Sequence, residues 1–191
     1  MVIAPKLAIL DRDGTLVEAH PGANGATSAI EPDQLRLLPG VVAGLRALAD
    51  AGFVLAIATN QPGPAKGQAT RAQVERTNIA LVDRLAAAAI AIAAVEVCLH
   101  HPIGGPGGDP SLVRACDCRK PAPGMLVALL ARLRGDRARS WMIGDKDVDC
   151  AAGRAAGVHT AFVGPHDRAE ITSDVRGATL QDVAEQISRF R

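Results

Sequence analysis

Tyrosine is absent from this chain, and its other aromatics are three phenylalanines and one tryptophan. So sparse a set leaves no row of rings on which single-stranded bases could stack. Blocks of like charge are missing too. The 21 basic and 20 acidic residues are spread along the chain, for a formal net charge of +1. Nucleic acid and anionic membrane surfaces both require a concentrated positive field, so neither is an expected partner. No apolar run approaches the roughly 20 residues that cross a bilayer; the longest lies at residues 85–95. Pro5 and Lys6 interrupt the opening apolar residues, which argues against a secretory leader. Four cysteines without a leader point to metal ligation or simple burial instead of disulfides. We expect a cytoplasmic monomer. With 191 residues, 48% of them hydrophobic, residues 1–191 suffice for one domain with a core of Ala, Leu and Val.

What is present is a series of apolar runs that end in polar clusters. Leu7-Ala8-Ile9-Leu10 leads straight into Asp11-Arg12-Asp13-Gly14-Thr15. A short continuous apolar run reads as a buried strand of a parallel sheet, here at 6–10. Residues i and i+2 of a strand face the same side, so Asp11 and Asp13 point at one spot, and Gly14 allows a sharp turn. Further strands are predicted at 53–58, 95–99, 140–143 and 159–163. Helices are predicted at 41–50, 71–93, 125–133, 148–156 and 180–190. Thr70 and Gln73 have capping-box spacing, and the alanine-rich end of 71–93 favours helix. Gly157 suits a helix C-terminus. Residues 17–38 read as a long irregular connection with turn signals at Pro21-Gly22, Asn24-Gly25 and Glu31-Pro32. Strand and helix alternate five times, which predicts an α/β fold: a parallel sheet with helices on both faces.

In such a sheet the strand ends lie along one edge, where ligands bind. Asp11 and Asp13, Thr59-Asn60 and Asp145 meet there, joined by Arg119-Lys120 from the loop after the third strand. Close carboxylates repel unless a cation separates them or one keeps a proton, and oxygen ligands favour Mg²⁺. Carboxylates, Mg²⁺ and a lysine describe a phosphate site. A solvated Asp-Arg-Asp-Gly turn is the alternative reading of the first motif.

Taken together, Asp11-Arg12-Asp13-Gly14-Thr15, Thr59-Asn60-Gln61, Lys120-Pro121 and Gly144-Asp145-x-x-x-Asp149 resemble the haloacid dehalogenase (HAD) phosphatases. The resemblance implies a three-layer Rossmann-like fold without a cap domain. It implies attack on phosphorus by Asp11, giving an aspartyl-phosphate. Asp13 is then the acid that protonates the leaving group and the base for water. Mg²⁺ is implied at Asp11, the main-chain carbonyl of Asp13, and Asp145. Thr59, the amides near Asn60, and Lys120 are implied to hold the phosphoryl oxygens. Asp149 is expected to bind a metal-bound water or to orient Lys146.

Two close ligand pairs, Cys98-x-His100 and Cys116-x-Cys118, are separated by fifteen residues rich in Gly and Pro. Cys₃His is a structural zinc set with no open position, so a zinc-stabilised loop is expected; buried and surface thiols are the alternative. Such a zinc would steady Arg119 and Lys120. Cys150 lies outside the set and reads as a small buried residue. The loop, with Arg119-Lys120-Pro121-x-Pro123-Gly124-Met125, is similar to that of the D-glycero-D-manno-heptose 1,7-bisphosphate 7-phosphatases. Histidinol-phosphate phosphatases carry a related, shorter loop. The resemblance implies substrate recognition by Arg119 and Lys146, with Lys120 on the phosphoryl group. Two segments depart from the pattern. Pro62-Gly63-Pro64-Ala65-Lys66-Gly67 stands where Ser-Gly-Ile-Ala-Arg-Gly is usual, and Glu18-Ala19-His20-Pro21 lacks the usual Tyr. Both fall where substrate contacts are expected. The expected activity is a Mg²⁺-dependent sugar-phosphate phosphatase. The alternatives are histidinol phosphate or another small phosphomonoester as substrate, or a non-catalytic phosphate-binding module.

Overall fold

The computed structural model describes residues 4–22, 25–165 and 171–190; part of the Asn24-Gly25 turn lies outside them. Apolar runs form the predicted sheet. β1 (Lys6–Leu10), β4 (Phe53–Asn60), β5 (Ile92–Cys98), β6 (Trp141–Gly144), β7 (His159–Val163) and β8 (Val175–Gly177) pair in the order β5-β4-β1-β6-β7-β8. Every pairing is parallel. A two-stranded antiparallel hairpin, β2 (His20–Gly22) and β3 (Gly25–Thr27), stands apart in the connection after β1.

Strand alternation divides the core into two layers. Ala8 and Leu10 of β1 face α1 (Val41–Asp50), α3 (Arg71–Ala87) and α6 (Leu180–Arg189), meeting Leu45, Leu81 and Val183. Leu7 and Ile9 face α4 (Gly124–Arg132) and α5 (Asp147–Ala156), meeting Leu126, Leu129 and Ala152. Helices therefore cover both faces, as expected. Each fully buried Leu or Ile side chain contributes about 1.5–3 kcal/mol. Among the described residues no helix is long and apolar enough to cross a membrane.

The chain runs outward from β1 through β4 to β5, then crosses back to β6 on the other side. The order reverses beside β1, and in open α/β sheets that reversal opens a crevice at the carboxyl ends of the strands.

Several elements differ from the sequence reading. The helix predicted to 93 stops at Ala87, and Ala89 turns left-handed at φ 60°. Strand β5 starts at Ile92, because pairing with β4 and burial of Ala94 and Cys98 override alanine's helix preference. The sixth strand, β8, was not expected; three residues are too few for a periodicity. A one-turn helix, α2 (Gly63–Lys66), stands where a loop was expected. The Thr70/Gln73 capping box is present: Gln73 N donates to Thr70 Oγ1 at 3.1 Å, and Thr70 N to Gln73 Oε1 at 2.7 Å.

Candidate active site

Three strand ends supply the crevice. Asp11 follows β1, and its N–H continues the ladder to Ile143 O of β6 at 2.9 Å. Asp13 lies two residues on. Thr59 and Asn60 close β4, and Asp145 follows β6. Gly14 makes the turn possible: it sits at φ +91°, and a Cβ there would lie 2.2 Å from Asp145 Oδ2. These ends open into a cleft of about 890 Å³. Asp11, Asp13, Asn60, Arg119, Lys120 and Lys146 all line it.

Lys120, 3% exposed, is the hub. Its Nζ donates to Asp11 Oδ1 at 2.6 Å and to Ala58 O at 2.8 Å, and lies 2.6 Å from Asp149 Oδ1. An ammonium has three donors, so all are engaged. Its main chain is clamped as well. Asn60 Nδ2 donates to Lys120 O and Lys120 N to Asn60 Oδ1, both at 3.1 Å. The Asn60 side chain thus grips the lysine's backbone. Asp149 has two partners here. It meets Lys120 and accepts from the backbone N of Lys146 at 3.0 Å. The Lys146 ammonium lies 3.4 Å from both Asp145 Oδ2 and Asp13 O.

One ligand atom from each of Asp11, Asp145 and Asp149 falls within 4.8 Å of the others. Burial, then the charge of Asp11, pushes the Asp149 carboxyl up to about 7 against the pull of Lys120. Burial also raises Asp145, with Lys146 opposing and Asp11 adding to the rise. Burial works against the charged form of Lys120, but Asp11 and Asp149 outweigh it and raise that group. Three carboxylates face two ammonium groups here. The surplus negative charge and the oxygen donors fit a hard divalent cation. The Asp13 carboxylate accepts from Arg12 and Gln61, and its main-chain carbonyl lies toward the Lys146 ammonium.

Cys98, His100, Cys116 and Cys118 converge beside the cleft. Their sulfurs lie 3.6 Å (Cys98–Cys116), 3.1 Å (Cys98–Cys118) and 3.3 Å (Cys116–Cys118) apart, and His100 Nδ1 is 3.3 Å from Cys118 Sγ. Zinc–sulfur bonds of about 2.3 Å in a tetrahedron separate sulfurs by about 3.8 Å. The four donors form a slightly contracted version of that set, so they fit the metal. Burial, followed by a hydrogen bond with Cys118, raises Cys98 strongly; thiolates crowded in this way need a cation. Cys150 is buried against Phe162 and Ile171, as expected. Arg119, half-buried, donates to His100 O at 3.4 Å.

A HAD-hydrolase-like family model matches residues 117–188. A D-glycero-beta-D-manno-heptose-1,7-bisphosphate 7-phosphatase of Escherichia coli is 38% identical over 151 residues, 79% of this chain and 74% of that one. The Yersinia pestis protein of the same name is 36% identical over 155 residues, 79% of this chain and 76% of that one. This chain belongs to the HAD-type heptose bisphosphate phosphatases. A D,D-heptose 1,7-bisphosphate phosphatase from B. bronchiseptica, solved with magnesium and phosphate, has a TM-score of 0.77 at 28% identity. That match covers 96% of this chain and 98% of the other. As a HAD phosphatase, the chain is an enzyme that hydrolyses phosphate esters.

Two residues of the phosphatase site had no role in the sequence reading. Gln61 Nε2 donates to Asp13 Oδ2 at 2.7 Å and to Thr59 Oγ1 at 2.8 Å. Strand parity is the signal that points to it, since Thr59 and Gln61 are i, i+2. Arg12 is fully buried, and nothing local in the sequence marks it.

Proposed function

We propose that this phosphatase removes the 7-phosphate of D-glycero-D-manno-heptose 1,7-bisphosphate through an aspartyl-phosphate on Asp11. The observation that carries the reaction is the 2.6 Å contact of Lys120 Nζ with Asp11 Oδ1 at the crevice beside β1. The contact orients one oxygen of the nucleophile and leaves the other for phosphorus. Asp13 gives its proton to the leaving oxygen and then takes one from the attacking water. Thr59, the main-chain amides near Asn60, and Lys120 hold the phosphoryl oxygens, with Lys120 exchanging one of its present acceptors for the substrate. Arg119 and Lys146 recognise the rest of the substrate from the cleft wall. Asp11, the Asp13 carbonyl and Asp145 hold Mg²⁺, which when bound offsets repulsion between nucleophile and phosphate. Cys98, His100, Cys116 and Cys118 hold a structural zinc, one per chain, which metal analysis of the purified protein reads directly.

The similarity to heptose bisphosphate phosphatases over 79% of the chain supports the substrate. The length of the loop between His100 and Cys116 supports it over histidinol phosphate. Asp11, Lys120 and Asp145 meet without a residue from a second copy, so the proposed site needs no partner, and we propose a monomer with one domain over residues 1–191. The unpaired thiols support a reducing, cytoplasmic setting.

The test is a phosphate-release panel with both anomers of the heptose bisphosphate, histidinol phosphate and an aryl phosphate. The expected result is preference for a heptose bisphosphate, and loss of all turnover in a folded Asp11→Asn variant. Preference for histidinol phosphate would overturn the substrate. Turnover retained in Asp11→Asn would overturn the nucleophile.

A further inference from the structure

Arg12 is the largest fully buried side chain among the described residues. A buried guanidinium is tolerated only when its charge is paired and its donors are met. Here Nε donates to Asp13 Oδ2 at 3.1 Å and Nη2 to Asp13 Oδ1 at 3.2 Å. Nη2 also donates to Ala29 O at 3.0 Å, and Nη1 donates to Asn78 Oδ1 of α3 at 2.7 Å. Arg12 is absent from the cleft wall, whereas Asp13 is part of it. The guanidinium therefore grips Asp13 from behind and does not meet substrate.

The two oxygens of Asp13 are not equivalent. Oδ2 accepts from both Arg12 and Gln61, which fills its two lone-pair positions. Among the described residues Oδ1 accepts one bond only, from Arg12. A fork of two parallel bonds fixes the plane of a carboxylate, which a point charge cannot do. The brace continues outward. Asn78 is mostly buried on α3, and its neighbour Thr77 donates to Ile30 O at 2.9 Å. Ser28 and Ile30, on either side of Ala29, line the cleft. Asp13, α3 and this substrate-facing loop are one hydrogen-bonded block with Arg12 at its centre.

We propose that Arg12, braced by Asn78, is a positioning residue that presents Oδ1 of Asp13 to the leaving group. The proposal rests on the reading of Asp13 as acid and base. In the first step the bond from phosphorus to the leaving oxygen breaks as the bond from Asp11 forms. The leaving oxygen keeps the electron pair and takes the proton from Asp13 Oδ1. In the second step water oxygen bonds to phosphorus, its proton returns to Asp13 Oδ1, and the bond to Asp11 breaks.

Leaving-group dependence separates positioning from general damage. A nitrophenolate departs without a proton, whereas an aliphatic alkoxide needs one. Asp13→Asn, Arg12→Lys, Asn78→Ala and Asn78→Asp are assayed with Mg²⁺ on an aliphatic phosphomonoester and on p-nitrophenyl phosphate, with folding checked by circular dichroism. Arg12→Lys is expected to lose about 10²-fold on the aliphatic ester in kcat/KM, which reports only the step that expels the leaving group, with the aryl ester within about threefold of wild type. Asn78→Ala should show the same bias more weakly, and Asn78→Asp, which keeps the acceptor, should recover turnover of the aliphatic ester. Equal losses on both esters in Arg12→Lys, with the bias intact in Asp13→Asn, would overturn the positioning role alone. Absence of bias in Asp13→Asn would overturn the reading of Asp13, and the proposal with it. If Arg12→Lys does not fold, Asn78→Ala decides: a bias supports the proposal and equal losses overturn it.

Discussion

At the scale of single residues, this site works by fixing groups from both ends. Lys120 shows it best. Its ammonium is held by Asp11, Asp149 and Ala58, and its backbone by the amide of Asn60. A buried lysine loses much rotamer freedom, and the clamp offsets part of that by fixing the Cα from which it reaches. Asn60→Ala removes both clamp bonds. At about 0.5–1.5 kcal/mol each, stability should fall by about 1–3 kcal/mol. kcat should fall about tenfold, because a slack lysine no longer orients Asp11. Asn60→Asp keeps the acceptor only and should lie between. Denaturant titration and steady-state kinetics read the two effects separately. The pairing motif Lys120-Pro121 was legible in the sequence. Its grip by Asn60 was not, because the two residues lie sixty positions apart.

At the scale of elements, the segments without regular structure are tied to regular ones. The turn and one-turn helix at 62–67 back onto the loop after β5: Asp109 N donates to Pro64 O at 2.9 Å, and Gly105 N to Ala65 O at 3.3 Å. Asp109 also receives Arg71, the first residue of α3, at 2.8 Å. Hydrogen bonds from Ser111, then from Arg71, hold the Asp109 carboxyl down to about 2. A carboxyl depressed in the folded state stabilises above its unfolded pKa and loses that contribution as pH falls. This anchor should therefore be intact above pH 3.8 and lost toward pH 2. Carbon-detected NMR titration should find Asp109 near 2 in the wild type, with upward movement in Ser111→Ala and less in Arg71→Ala. An unmoved value in both would refute the assignment. The Thr70/Gln73 capping box and the Gly157 stop were legible because their signals are local. The end of α3 was misread because pairing of β5 with β4 outweighed helix propensity over residues 88–93.

At the scale of the whole molecule, the carboxylate cluster joins a strand end near the start of the chain to a strand and helix more than 130 residues later. In the metal-free protein burial works against the charged forms of Asp145 and Asp149, and the charge of Asp11 adds to that. A cation bound only by the folded chain stabilises it by mass action, about 2.7 kcal/mol at a hundredfold excess over Kd. Magnesium at that excess should raise the melting midpoint by roughly 5–10 °C for a chain of this size. Asp145→Asn should abolish most of the rise and start from an equal or higher metal-free midpoint, since it removes one of the repelling charges. Differential scanning calorimetry with and without the ion checks both.

The amino-acid order alone determined the alternation of strand and helix, the two layers of the core, and the gathering of Asp11, Asp13, Thr59 and Asp145 at one edge. Periodicity and the i, i+2 rule act within a few residues, so a linear reading captures them. Only the tertiary structure decided that Lys120 answers to Asp11 and Asp149 together, that Asn60 holds a backbone, and that Arg12 reaches Asn78 while Gln61 joins Asp13 to Thr59. Those contacts depend on the strand order β5-β4-β1-β6-β7-β8. That order is settled by which apolar faces can be buried against one another, a competition among distant segments that no local pattern records.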